Sequence, residues 1–347
     1  MRALTVSAHG GVEQLQVVTD LPIPALGSPA SARVCMHAVS LNHLDLFVLR
    51  GLPGATLQPG WVVCADGAGV VDAIGESVTA LSVGDRVMIN PGISDRICDF
   101  CVAGEQSLCE HFQLLGEHLP GTAAEYVVVP AANLRVVPPG VSWEHAAAFS
   151  LATLTAWRLV VTRARLQPGE TMLIWGIGGG VAIAALQIAK RIGARVWVTS
   201  SSDAKLARAR DLGADETFNH RTGDVVAEVR KRNGKRGVHV VLDDVGEATW
   251  ERSLRVLGRG GRLVTCGATT GPMVQLDARK LFWHQWTIMG STMGNDRELD
   301  AIVHALGEGA FLPPIDTVFA IDDARAAYER LSAGDQFGKI VLRLRDD

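Results

Sequence analysis

The run Gly176-Ile177-Gly178-Gly179-Gly180 constrains this chain more than any other segment. It follows an apolar stretch, 171–175, and opens onto 181–192, which reads as a helix. A strand that turns through glycines directly into a helix lets backbone approach a ligand closely. It also presents the free N–H groups at the positive end of the helix. That arrangement suits the pyrophosphate of a dinucleotide. The strict G-x-G-x-x-G pattern is not met, because Val181 stands at the last glycine position and Ala182 follows. A glycine-rich turn without a ligand is the plain alternative, and the flanking pattern weighs against it. Strands are expected at 194–199, 238–242 and 262–266, and helices at 203–212, 225–232 and 248–257. Apolar strands that alternate with amphipathic helices form a parallel sheet covered on both faces. The second half therefore reads as a doubly wound, Rossmann-type cofactor domain, α/β in class.

The first half has another texture. Short runs at 32–39, 67–74, 85–90 and 125–129 are rich in Val and Ile and punctuated by Gly and Pro, as in a small barrel or sandwich. Pro138-Pro139-Gly140 marks a boundary, and 143–161 reads as one helix. The tail carries an amphipathic helix at 322–331 and a strand at 339–344. With 347 residues, two domains are the expectation. They are drawn as 1–142 with 287–347, and 143–286.

A net charge of −4 argues against a basic surface that grips nucleic acid. It leaves a small-molecule substrate as the expected partner. Residues 171–189 are apolar and uncharged enough to imitate a membrane span, but Gly176, Gly178, Gly179 and Gly180 interrupt them. No apolar run follows Arg2 as in an export signal, so a cytoplasmic protein with no membrane partner is expected.

The end of the strand after the glycine turn bears on which dinucleotide binds. An acidic residue there would hold the ribose hydroxyls and repel a 2′-phosphate. The chain has Ser200, Ser201 and Ser202, then Asp203 and Lys205. Hydroxyls and a lysine suit a phosphate, which favours NADP(H) over NAD(H). The serines, or Asp203, could equally cap the next helix.

Three of the six cysteines fall in the pattern Asp95-x2-Cys98-x2-Cys101-x7-Cys109. Thiolates at this spacing can converge on one tetrahedral zinc. Asp95 continues the spacing as a fourth ligand, with Glu105, Glu110 and His111 as alternatives. Such a site would be structural, since protein fills every position. Three free thiols left in a loop are the competing account.

Taken in order, several motifs resemble the medium-chain dehydrogenase/reductase superfamily, which includes zinc alcohol dehydrogenases and quinone oxidoreductases. They are Ser40-Leu41-Asn42-His43-Leu44-Asp45, Asp66-Gly67-Ala68-Gly69-Val70-Val71, Val83-Gly84-Asp85-Arg86-Val87, the cysteine lobe, the glycine turn, Leu212-Gly213-Ala214-Asp215, Gly260-Gly261-Arg262-Leu263-Val264 and Phe337-Gly338-Lys339-Ile340-Val341. The resemblance implies a GroES-like catalytic domain split between the N-terminal half and the tail, with substrate in an interdomain cleft. It extends the cofactor contacts to Thr155, Val245, Gly267 and Ala268. It also implies a homodimer or homotetramer, with 280–290 and its Phe282, Trp283 and Trp286 as an interface strand or simply a buried one.

The departures from the family are informative. The positions of its catalytic zinc ligands fall at Asn42, Ala65 and near Leu151, and alanine and leucine cannot ligate a metal. The neighbouring His43, Cys64 and Asp66 do not readily recreate a three-ligand site. The expected reaction is therefore hydride transfer to an enone or a quinone, which needs less polarisation than an alcohol or aldehyde. Asn42 would position the carbonyl. His43 would donate a proton or touch the cofactor pyrophosphate, or serve as a structural histidine. Asp45 and Asp66 would support them. A zinc-dependent alcohol dehydrogenase and a non-catalytic cofactor-binding protein are the alternatives.

Overall fold

In a computed structural model describing residues 1–52, 57–234 and 236–345, the chain forms two compact units. One is Met1–Leu154 with Gly294–Asp347, and the other is Thr155–Met293. Both junctions fall later than the expected 142/143 and 286/287. Side-chain packing sets them: Trp143 stacks on His37 (4.4 Å) and Phe149 on Phe311 (6.2 Å), inside the first unit. The Thr155 hydroxyl reaches Met293 Sδ (3.7 Å) inside the second.

The first unit begins with β1 (Ala3–Val6), β2 (Leu15–Val18), β3 (Ser31–Ser40), α1 (His43–Arg50), β4 (Trp61–Val62), β5 (Asp66–Ile74) and β6 (Arg86–Ile89). It continues through β7 (Gly92–Ile93), α2 (Asp99–Val102), β8 (Gln113–Leu114), β9 (Tyr126–Pro130), β10 (Leu134–Val136) and α3 (Trp143–Ala147). Helix α4 (Ser150–Trp157) carries the junction. The second unit holds β11 (Thr171–Ile174), α5 (Gly180–Ile192), β12 (Arg195–Ser200), α6 (Asp203–Asp211), β13 (Glu216–Asn219), α7 (Val225–Arg232), β14 (Val238–Leu242), α8 (Trp250–Val256), β15 (Leu257–Thr265), α9 (Ala278–His284) and β16 (Thr287–Gly290). The chain then returns to the first unit as α10 (Asp296–Gly307), β17 (Ile315–Ala320), α11 (Ala324–Ala333) and β18 (Lys339–Arg343).

In the second unit every strand pair is parallel, in the order β13-β12-β11-β14-β15-β16. All four residues of β11 are buried, as are all of β14 except His239. Strands covered on both faces need no polar alternation, which is why they read as unbroken apolar runs. The first unit is half-buried sheet instead. In β9, Val127 and Val129 point inward between less buried neighbours. Its larger sheet runs β10-β6-β5-β3-β18-β17, with β9 also on β3. Strand β18 pairs antiparallel with β3 through Val341↔Ser40, and Ser40 is also the partner of Asp66 on β5. That register draws the chain's tail to the start of α1.

Several expected elements differ. Residues 143–161 are not one helix: α3 ends near Ala148, where Phe149 turns into the core, and π-helical turns follow α4 at Arg158–Arg163. Residues 280–290 are not one strand. Asp277 caps α9 through the Arg279 N–H, Gln285 ends it in a left-handed conformation, and only Thr287–Gly290 is strand. Phe282 and Trp283 are therefore on a helix, and both are exposed. Helix α10 was not anticipated, although Asn295 and Glu298 form a capping box legible as N-x-x-E. The membrane-like run 171–189 resolves into β11, the glycine turn and α5. Among the described residues no helix is long and apolar enough to cross a membrane.

Candidate active site and metal centre

Strand order in the second unit reverses between β11 and β14, and a ligand crevice opens at the carboxyl ends of strands around such a point. The glycine turn sits there. Gly176 (φ +70°) and Gly178 (φ +154°) adopt backbone that side chains disfavour. The turn is tied to β12 by Gly176 N–H to Thr199 Oγ1 (3.1 Å) and Ile177 N–H to Thr199 O (2.8 Å). Gly179 caps α5 with no side-chain bond, and a Cβ built on it meets nothing within 4 Å. The first-turn N–H groups of α5, including those of Gly180 and Val181, thus face a space the protein leaves open, which fits a pyrophosphate.

Of the other predicted contacts, Val245, Gly267 and Ala268 gather at the same edge. Val245 lies 3.6 Å from where a Gly176 Cβ would stand, and Ala268 lies 3.0 Å from a Cβ on Gly246. Gly267 abuts Asp244. Thr155 is buried in α4 at its bond to Met293. Asp243 shapes the β14 end: its carboxylate accepts the N–H groups of Val245 and Gly246 and the hydroxyls of Thr249 and Ser253. Sequence reading missed it, though an acid ending an apolar strand is a visible signal. At the end of β12, Ser200 Oγ accepts Ser202 N–H (3.1 Å), and Ser202 Oγ accepts the Lys205 N–H at the start of α6 (3.4 Å). Ser202 thus caps α6 and Ser200 braces it, while Ser201 is exposed and Asp203 is bonded to Asn219 (2.8 Å).

The predicted catalytic residues meet in the first unit. Asn42 caps α1 in a box with Asp45, whose Oδ2 accepts the Asn42 N–H (2.6 Å). The Asn42 amide donates to Asp66 Oδ2 (3.0 Å), and Asp66 Oδ1 accepts the Leu151 N–H (2.8 Å). Asn42, Ala65 and Leu151, which are far apart in sequence, therefore converge around one fully buried carboxylate. His43 begins α1 on the exposed side, its ring 6.5 Å from that of Phe47.

Sequence reading missed the cation at this site. Lys339, only 3% exposed, donates to Asn42 Oδ1 (2.5 Å) and Asp66 Oδ2 (3.3 Å). Its signal was a lysine placed directly before the apolar Ile340, Val341 and Leu342 of β18. Also missed was the pairing of the Cys64 thiol with the buried Tyr328 hydroxyl (3.7 Å), with Cys64 at φ +70°. Burial above all holds both groups protonated, and the pair titrates well above its ordinary range.

Burial also raises the Asp45 carboxyl to about 7, against partial relief from the Asn42 N–H and the Lys339 charge. The native state then keeps a proton that the unfolded chain releases near pH 4. Between those limits the native state binds more protons, so this group's contribution to stability falls as pH rises from about 4 to about 7. Each pH unit is worth on the order of 1.4 kcal/mol at most. Urea unfolding of the wild type should therefore weaken relative to Asp45→Asn over that window. Parallel curves for the two proteins would contradict it.

The cysteine lobe is closed by the β7–β8 pair. The ligand atoms of Asp95, Cys98, Cys101 and Cys109 all lie within 4.8 Å of one another, the only such group among the described residues. Three sulfurs and a carboxylate at this spacing fit a tetrahedral zinc. Glu105, Glu110 and His111 stand outside the group, and His111 Nδ1 instead contacts Asp95 Oδ2 (2.8 Å). Asp95 Oδ1 accepts the N–H groups of Ile97 (2.9 Å) and Cys98 (3.0 Å), and these with His111 hold its carboxyl far below the usual range. Backbone N–H groups of Cys101 and Glu110 lower the Cys98 thiol, whereas burial pushes Cys101 up to about 12.

Comparison with known proteins agrees with both units. Residues 28–139 match the alcohol dehydrogenase GroES-like domain, and residues 180–308 match the zinc-binding dehydrogenase family. A solved NAD-dependent alcohol dehydrogenase is 43% identical, with a TM-score of 0.94, over 99% of this chain and all of that one. The acryloyl-coenzyme A reductase of Metallosphaera sedula is 30% identical over 99% of both chains. The quinone oxidoreductase of Homo sapiens is 25% identical over 99% of this chain and 98% of its own. Whole-length likeness at this level, with the parallel sheet and the β-rich unit in the expected halves, is decisive: the chain is an NAD(P)-dependent oxidoreductase of the medium-chain dehydrogenase/reductase superfamily.

Proposed function

We propose that this enzyme reduces an activated C=C, as in an enone, or a quinone, without a catalytic zinc. One observation carries the reading. Of the three positions where the family resemblance puts catalytic metal ligands, Ala65 and Leu151 offer no ligating side-chain atom, and the Asn42 amide is already committed to Asp66 and Lys339. A conjugated acceptor spreads charge onto its oxygen, so hydrogen-bond donors can replace a Lewis acid. The nicotinamide, when bound, supplies the hydride. Asp66, pinned by Leu151 N–H, anchors the polar cluster. The acryloyl-coenzyme A reductase, whose substrate is a conjugated thioester, and the quinone oxidoreductase support this reading. The solved alcohol dehydrogenase supports a second reading, oxidation of an alcohol.

Three finer assignments accompany the reaction. NADP(H) is preferred over NAD(H), on the support of Ser200, Ser201 and Lys205. One structural zinc is held by Asp95, Cys98, Cys101 and Cys109, where all four positions are filled and the ion orders the lobe. The protein assembles as a homodimer or homotetramer around a small-molecule reaction, with support from the sheet-edge position of β16 and the outward Phe282 and Trp283 on α9.

Zinc per chain by elemental mass spectrometry, with a panel of enones, quinones and alcohols, tests the reading. About one zinc with enone or quinone reduction is expected. About two zincs with alcohol oxidation alone would replace it by the second reading. In parallel fluorescence titrations NADPH should bind at least about tenfold more tightly than NADH, a difference of about 1.4 kcal/mol. The reverse order would reject the NADP(H) assignment.

A further inference from the structure

We propose that the second unit carries a polyphosphate-binding site of its own, held by Arg230, Arg236 and Arg255 at the sheet edge opposite the glycine turn. The site lies wholly within that unit and depends on no assignment of substrate or metal.

The three arginines line one cavity of about 1320 Å³. Most small-molecule sites occupy roughly 300–1,000 Å³, so a nucleotide-sized anion has room there. The cavity follows α8, from Glu247 just ahead of the helix to Arg255 in its last turn, and reaches the first residues of β14 and β15. The glycine turn instead follows the last residue of β11. Because the sheet is parallel, the two lie at opposite edges.

Backbone packing brings the arginines together. A Cβ on Gly237 would stand 2.6 Å from Gly258 N and 2.7 Å from Val256 O, and one on Gly258 would stand 2.6 Å from Arg236 O. These contacts leave no room for side chains, and they seat Arg236 beside the end of α8. Arg230, in the last turn of α7, donates from Nη2 to Arg255 O (3.1 Å).

None of the three guanidiniums is paired with a carboxylate among the described residues, and Glu251, one helical turn before Arg255, does not reach it. Nearby arginines differ. Arg232 is bonded to Glu216 (3.0 Å), and Arg262, which lines the same cavity, to Glu170 (2.5 Å). Like charges gathered without a counter-charge repel one another. On a chain of net charge −4 such a gathering is local, not a product of composition.

An anion would relieve that repulsion. Guanidinium forks take phosphoryl oxygens in pairs, and several forks side by side match a polyphosphate better than a lone carboxylate. Glu247 and Glu251 repel phosphates from the start of α8, which leaves the arginine end for them. Met273, Val274 and Leu276 line the same cavity and are exposed, which suits an organic body attached to the phosphates.

The test is calorimetric titration of the full chain with its dinucleotide site saturated by NADPH, using ATP and inorganic tripolyphosphate as separate probes. About one ATP per chain should bind. In Arg236→Gln/Arg255→Gln both probes should bind about 100-fold more weakly, the loss of two hydrogen bonds between charged groups. NADPH affinity, turnover and the thermal midpoint should stay unchanged, because these exposed side chains have no carboxylate partner to lose. Met273→Ser/Leu276→Ser separates the two sources of the anion. Weaker ATP with unchanged tripolyphosphate supports an organic polyphosphate, and both unchanged supports an inorganic one. Equal affinity of wild type and the arginine variant for both probes overturns the proposal. So does binding of either probe that NADPH abolishes, since the probe then occupied the glycine turn.

Discussion

Cys101→Ser is expected to empty the metal lobe, taking zinc from about one per chain to near zero. Structural zinc contributes about 10–16 kcal/mol of apparent binding free energy in small domains. Cys101 is, with Cys109, one of the two buried thiols of the set, and without metal its proton is held to about 12. Zinc must displace that proton, and serine offers no comparable ligand. Beyond a metal, the lobe is held largely by polar contacts such as the Arg96–Asp296 ion pair (2.8 Å). Ile97 is 81% exposed and Val102 76%, and Phe100 and Leu108 are also exposed, so much of the loop's apolar surface faces outward. The variant should therefore be cut by protease within 94–112 while both main cores, which include no lobe residue, stay folded. Chelation of the wild type should reproduce the effect. Zinc retained at about one per chain after the substitution would mean that other residues hold it.

Gly179→Val is expected to abolish dinucleotide binding while leaving the fold intact. Gly179 has φ −80° and ψ 160°, a conformation any residue adopts, and its Cβ would meet no protein atom within 4 Å. The substitution therefore costs the folded chain little. It would cost the complex much, because the space belongs to the pyrophosphate and the first-turn N–H groups of α5 would lie behind a branched side chain. An affinity loss of more than about 100-fold, or about 2.7 kcal/mol, is expected by calorimetric titration, with the thermal midpoint nearly unchanged. Gly176→Val makes the contrast: at φ +70° it strains the turn itself and should lower stability. Undiminished cofactor affinity in Gly179→Val would remove the glycine turn from the binding site.

Local chemistry made much of this protein legible in its sequence. Unbroken apolar strands around glycines after β11 dictate a parallel sheet with a dinucleotide turn, because strands covered on both faces have no polar alternation and a close-approaching backbone has no side chain. The spacing of Asp95, Cys98, Cys101 and Cys109 is similarly local, and those four ligands do converge. Ala65 and Leu151 announce missing metal ligands by identity alone. Where local signals compete, sequence reading failed. The aromatic run at 280–290 suggested one strand, but a cap at Asp277 and a left-handed Gln285 make its first part a helix. Tertiary structure alone decided what stands at the missing ligands. The pairing of β18 with β3, and of β3 with β5, sets Lys339 against Asn42 and Asp66 across 297 and 273 residues of chain. No periodicity relates residues that far apart. Their meeting depends on strand register, which sets the lysine beside the buried Asp66 side chain.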